Sequence, residues 1–247
     1  MKRLFTWQVV VGIILIALSG LTYFVHYLIF RDAHHIFLYL IGDVAFVFLE
    51  VLLVTMVLHG LLSHREKRAM LKKLNMVIGV FFSEVGTQLM KHLASFDHRS
   101  SEISKCLVVR SEWSDKEFSK VRKDVTGYPS AIDCKLGDLN GMKNLLSSRR
   151  DFLLALLENP NLLEHESFTN LLWAVFHLAE ELASRKDLTR LSDPDYQHIA
   201  GDMKRAYALL LSEWLAYMSH LKSDYPYLFS LAMRTNPFDP GASVEIK

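Results

Sequence analysis

The 247-residue chain is poor in the residues that mark secreted, fibrous or low-complexity proteins. Its two cysteines, Cys106 and Cys134, stand in a polar stretch. They form neither a disulfide framework nor a zinc spacing, and they read as free thiols of a reducing compartment. Six prolines and 11 glycines exclude collagen-like and low-complexity character. A formal net charge of +1 gives no electrostatic basis for a nucleic-acid partner. The phosphate-loop pattern GxxxxGK(S/T), the dinucleotide pattern GxGxxG, the nucleophile elbow GxSxG and the metalloprotease pattern HExxH are all missing. No enzyme activity and no cofactor are expected on that basis.

Charge itself is the most telling absence. Residues 7–30 contain no Asp, Glu, Lys or Arg, and residues 36–62 contain only Asp43 and Glu50. Hydrophobic residues make up 51% of the chain, against about 45–50% in ordinary globular domains, and the excess is concentrated in these two runs. A bilayer core needs about 20 apolar residues in a helix. Both runs reach that length, and Arg31-Asp32-Ala33-His34-His35 is just long enough to turn the chain between them. The first run is too long for the core of a signal peptide and lacks a small-residue cleavage site. The sequence therefore predicts an all-α protein: a two-helix transmembrane hairpin (1–64, helices 7–30 and 36–62), an amphipathic stalk helix (65–98) and a cytoplasmic helical bundle (99–247).

Orientation follows the basic residues. Lys2 and Arg3 precede the first run, and Arg65, Lys67, Arg68, Lys72 and Lys73 follow the second, where they also suit anionic headgroups at the membrane interface. Both termini are expected on the cytoplasmic side. Asp43 and Glu50 are costly at membrane depth, roughly 2.5–3.5 kcal/mol each on insertion scales. Seven residues apart, they share one helix face, about 10 Å apart along the axis. Folding the hairpin back on itself puts Tyr23 and His26 near the level of Asp43, as partners for it, and leaves Glu50 without a cation at its depth. Two helices cannot hide such a stripe from lipid, so a homo-oligomer is expected. The acids then act either as hydrogen-bonding glue between helices or as a cation or proton path.

Beyond the second run, Leu71, Leu74, Ile78, Phe82, Val85, Leu89, Leu93 and Phe96 recur in steps of three and four, the mark of an amphipathic helix. Gly79 and Gly86 lie on one face and would admit a neighbouring helix. Residues 97–107 read as a polar connector. Ser114 and Glu117 form a capping box that starts a helix to Thr126. Asp138 caps a helix running to Asn159-Pro160. Further helices are expected from Ser167 to Arg185, from Asp193-Pro194 through Leu221, and over 226–234. Tyr207, Trp214, Tyr217, Tyr225 and Tyr227 read as core or subunit interface.

His177 and Glu181, one helical turn apart, are the nearest approach to a metal pair, with His165 and His198 on flanking segments. A carboxylate bundle site requires ExxH on two helices; here the order is reversed and occurs once, so no metal is expected. Glu180, Glu181 and Arg185 read instead as a solvated face with an i,i+4 ion pair. His34-His35 reads as a turn.

The leading expectation is an integral membrane protein of the lipid bilayer, oligomeric, presenting a helical cytoplasmic domain to a protein partner or signal. The alternative is a small oligomeric cation channel or proton-coupled transporter working through Asp43 and Glu50, with Tyr23 and His26 beside them. A third reading is a membrane-tethered metal-dependent enzyme centred on His177.

Overall fold

The computed structural model describes residues 2–163 and 165–245, with the side chains of 2–6, 8, 63–69, 71, 72 and 163 left outside the description. Among the described residues the chain is helical, and extended pairing is confined to a single bridge between Asp97 and Ile132. Contacts divide the chain into two units, Met1–Lys67 and Arg68–Lys247.

The first unit holds α1 (Lys2–Phe30) and the leading part of α2 (Ala33–Phe81). Val9–Phe30 and Ala33–Leu62 are long and apolar enough to cross a membrane, and neither is buried within the chain. Two residues make the turn. Arg31 takes a left-handed backbone (φ 48°) and its N–H reaches the Tyr27 carbonyl at 2.8 Å, which closes α1 at a cost of about 1 kcal/mol for a residue with a Cβ. Asp32 then caps α2, its Oδ1 accepting from the His35 N–H at 3.2 Å. Beyond this turn nearly all described side chains of both apolar runs are exposed.

The second unit is built on the tail of α2, a π-helical turn (Phe82–Gly86), α3 (Thr87–Ser95), α4 (Ser100–Cys106), α5 (Asp115–Thr126), α6 (Leu139–Ser148), α7 (Arg150–Leu157), α8 (Pro160–Leu163), α9 (Glu166–Ser184), α10 (Asp193–Asp224) and α11 (Pro226–Arg234). The apolar stripe expected on a stalk lies inside this unit from Leu74 to Phe96. Leu74, Ile78, Phe81, Val85, Leu89, Leu93 and Phe96 are all buried. Phe81 meets Phe168 of α9 edge-on at 5.4 Å, and Phe82 stacks on Tyr217 of α10 at 5.4 Å. Each such buried side chain contributes about 1.5–3 kcal/mol. Gly79 is the point of closest approach: a Cβ there would lie 2.9 Å from the Tyr217 hydroxyl.

α10, 32 residues long, is the central helix. It packs most extensively on α9 and then on α5, while α6 and α7 cover the other side of α9. Its start follows the expectation from Asp193-Pro194, with proline in the first turn, and the structure adds Ser192 as its N-cap. α5 begins in the expected capping box, with Ser114 and Glu117 bonding reciprocally. Two expectations are corrected and one further cap is added. Residues 97–107 contain a helix, α4, rather than a plain connector. The helix after Asp138 breaks at Arg149 into α6 and α7. α9 is capped by His165, whose Nδ1 accepts from the Phe168 N–H at 3.3 Å.

Buried polar groups tie the loops down. Asp97 is enclosed, and its carboxylate accepts from the Ala131 N–H at 2.8 Å and the Tyr128 hydroxyl at 2.7 Å. Burial, together with this bond, pushes the Tyr128 phenol up. Glu213 is buried on α10 against Arg122 of α5 at 3.0 Å. Asn236 donates to the Leu107 carbonyl at 2.8 Å and anchors the C-terminal segment.

Candidate functional site

The intramembrane candidates are not brought together. Asp43 and Glu50 lie exposed on α2, and among the described residues neither has an ion pair or hydrogen-bonding partner. His26 sets its ring against Phe30 of its own helix at 4.7 Å, and Tyr23 is exposed on α1. The expected pairing of Asp43 with His26 or Tyr23 is absent among the described residues, where Asp43 and Tyr23 are exposed. Of the basic residues after the second run, Lys73 is exposed. The side chains of Arg65, Lys67, Arg68 and Lys72 lie outside the described residues.

The second unit does assemble a site. α9 carries His177 and Glu181 one turn apart, and α10 carries His198 and Asp202 one turn apart. Because α9 and α10 are packed side by side, the two pairs face each other. His177 Nε2 lies 3.4 Å from Asp202 Oδ2 and 3.8 Å from Glu181 Oε1. His198 Nε2 lies 3.5 Å from both Asp202 Oδ2 and Glu181 Oε2. One donor atom each from His177, His198 and Asp202 falls within 4.8 Å of the other two.

The two carboxylates differ in their surroundings. Glu181 is half-buried and takes a 2.6 Å bond from Arg185, which also reaches Asp195 at 3.1 Å. The Arg185 guanidinium holds the Glu181 carboxyl below its usual range, with the neighbouring imidazoles adding to the effect. The expected i,i+4 pair is thus present in a half-buried network that also takes in Asp195, while Glu180 lies half-exposed against Arg150. Asp202 is only 4% exposed. Its Oδ1 faces Arg205 at 3.3 Å. Its Oδ2 is fully enclosed and accepts no hydrogen bond. A buried carboxylate oxygen without a donor is uncommon, and this one points between two imidazoles.

Sequence reasoning named His177 and Glu181 and noted His198, but missed Asp202. The available signal was the repeat of the same spacing: His-x-x-x-Glu on α9 and His-x-x-x-Asp on α10. His165, by contrast, is occupied as a helix cap. Of the aromatic stretch, Tyr207, Trp214 and Tyr217 pack in the core while Tyr227 is exposed. Trp214 and Tyr217 also wall a cleft of about 420 Å³ beside Phe82, rimmed by Thr87, Gln88 and Lys91.

Comparison with known proteins places both units. Residues 2–62 match the family model described as the N-terminal helical domain of MJ1433, and residues 70–234 match that of the C-terminal helical domain of the uncharacterized protein MJ1433. The two matches are separated between residues 62 and 70, which brackets the division of contacts between Lys67 and Arg68. The uncharacterized protein MJ1433 of Methanocaldococcus jannaschii is 46% identical over 233 residues, 94% of each chain. No solved structure matches. With both domains matched in order and this identity along nearly its whole length, the chain belongs to the MJ1433 family.

Proposed function

We propose that the chain is an oligomeric integral membrane protein, anchored by α1 and the first part of α2, that presents its helical second unit on the cytoplasmic side for interaction or signalling. One observation carries this reading: Val9–Phe30 and Ala33–Leu62 are predominantly apolar and not buried within the chain, while the second unit has a core of its own. An apolar surface of that extent needs a covering, and a helix satisfies its own backbone in lipid. The basic residues flanking the two runs support cytoplasmic termini. Asp43 and Glu50, without partners on the hairpin, support association of several copies.

The test is alkaline extraction of membranes followed by mass measurement in lipid nanodiscs. The reading predicts retention in the membrane pellet and a particle of more than one chain. Release into the supernatant would sink the anchor, and a monomer in lipid would sink the oligomer. Labelling of a cysteine placed at Ala33 by an impermeant reagent from outside intact cells checks the orientation.

The shared face of Asp43 and Glu50 favours a second reading, a cation or proton path along the axis of the oligomer. This reading predicts liposome flux that falls in Glu50→Gln and Asp43→Asn. Flux unchanged in both variants would exclude it and leave the acids as packing groups.

A further inference from the structure

We propose that the α9–α10 seam binds one divalent transition-metal ion of the zinc type, held by His177 Nε2, His198 Nε2 and Asp202 Oδ2. Glu181 is the adjacent fourth donor.

The spacing fits an ion. Metal–ligand distances of about 2.0–2.1 Å set donors on a tetrahedron about 3.3–3.4 Å apart. The two imidazole nitrogens lie 3.4 and 3.5 Å from Asp202 Oδ2, at that edge length, and within 4.8 Å of each other, an edge that rotation of the half-exposed rings shortens when an ion binds. The burial pattern fits as well. Asp202 Oδ2 is enclosed and accepts no hydrogen bond, and the polar groups nearest to it are the two imidazole nitrogens, an incomplete set for a buried carboxylate. A cation between the three atoms supplies what is missing. Its partner oxygen, Oδ1, is oriented by Arg205, and Glu181 is oriented by Arg185, as outer contacts orient carboxylates around metals. Three carboxylates (Glu181, Asp195, Asp202) against two guanidiniums (Arg185, Arg205) leave one net negative charge when both imidazoles are neutral.

The donor set selects the ion class. Two imidazole nitrogens with a carboxylate suit zinc, cobalt, nickel or iron(II), whereas magnesium and calcium take oxygen donors. Both histidines are about half exposed, so the ion is exchangeable and keeps a coordination position open to solvent.

The experiment titrates full-length protein in detergent with Zn²⁺, Co²⁺ and Mg²⁺ by calorimetry, and reads the visible absorption of the Co²⁺ form. Expected are one equivalent of Zn²⁺ per chain, a Co²⁺ spectrum of nitrogen–oxygen coordination, a higher Tm with Zn²⁺, and no heat from Mg²⁺. His177→Ala and His198→Ala, at half-exposed positions where folding is unaffected, each weaken Zn²⁺ binding by roughly tenfold or more. Asp202→Asn weakens it too, with its far-ultraviolet spectrum checked against the native protein. His34→Ala with His35→Ala, at the turn in the first unit, leaves binding unchanged. The site is overturned if native protein binds no Zn²⁺ at tens of micromolar, or if binding survives both His177→Ala and His198→Ala.

Discussion

Residues 9–62 and the unit from Arg68 onward use apolar side chains in opposite ways. In the first, nearly every Leu, Ile, Val and Phe faces outward, and polar residues are few enough to name singly. In the second, the same residue types point inward in steps of three and four, and polar side chains cover the outside. The two regions share a helical backbone and differ in where the solvent for their apolar groups must come from. A helix stripe dictates its own partner within the chain, while a helix apolar all round leaves the partner to the environment. The few polar groups then carry opposite meanings. Asp43 and Glu50 are exposed and unpaired among the described residues, whereas Asp97 and Glu213 are buried and paired within the chain.

The largest expected effect separates the regions physically. A chain beginning at Arg68 should be soluble without detergent and unfold in one cooperative transition by circular dichroism. Aggregation of that fragment would break the contrast, since its core would then depend on the first unit. Next in size, Phe96→Ala, which empties a fully buried site, should cost about 3–5 kcal/mol of denaturant stability. Leu53→Ala, on an exposed site, should leave that transition unmoved. Smaller still, Arg122→Met strips the partner from buried Glu213 and should cost about 2–4 kcal/mol, a loss that Glu213→Gln in the same chain partly recovers.

The smallest effect is a pH dependence. Arg185 lowers the Glu181 carboxyl below its ordinary value of 4.5. A carboxyl depressed in the folded state stabilises it above its unfolded value, and the contribution is lost as pH falls through the lower folded one. Arg185→Gln should therefore flatten the acid limb of a stability–pH curve below about pH 4.5, with little change in its slope near neutrality.

Local signals were readable where a side chain closes its own structure. The Ser114–Glu117 box, the Asp193-Pro194 start and the helix over 226–234 lie as their residues predict. The break at Arg149 carries no glycine or proline, so nothing local announces it. His165 is a cap that hydroxyl-and-carboxylate rules pass over. The stripe from Leu74 to Phe96 was legible as amphipathic, but not as core, because periodicity shows a face without showing what covers it. The candidate site divides in the same way. His177 and Glu181 are visible as one turn of one helix. Asp202 repeats that spacing after His198, but that the two pairs meet follows from the packing of α9 on α10, a relation across the sequence rather than along it.

The π-helical turn at Phe82–Gly86 has a consequence for how this stripe stays continuous. The Thr87 N–H and hydroxyl both reach back to the carbonyl of Phe82, five residues earlier, so the ladder carries one residue more than an α-turn would. That residue acts as a phase correction: Ile78 and Phe81 before it, and Met90 and Leu93 after it, all end in the core. A single extra residue that no such turn absorbed would rotate 70–81 against 87–95 by about 100°. The composition would be almost unchanged and the buried face would be split in two, so the fold depends at this point on the count of residues more than on their identity.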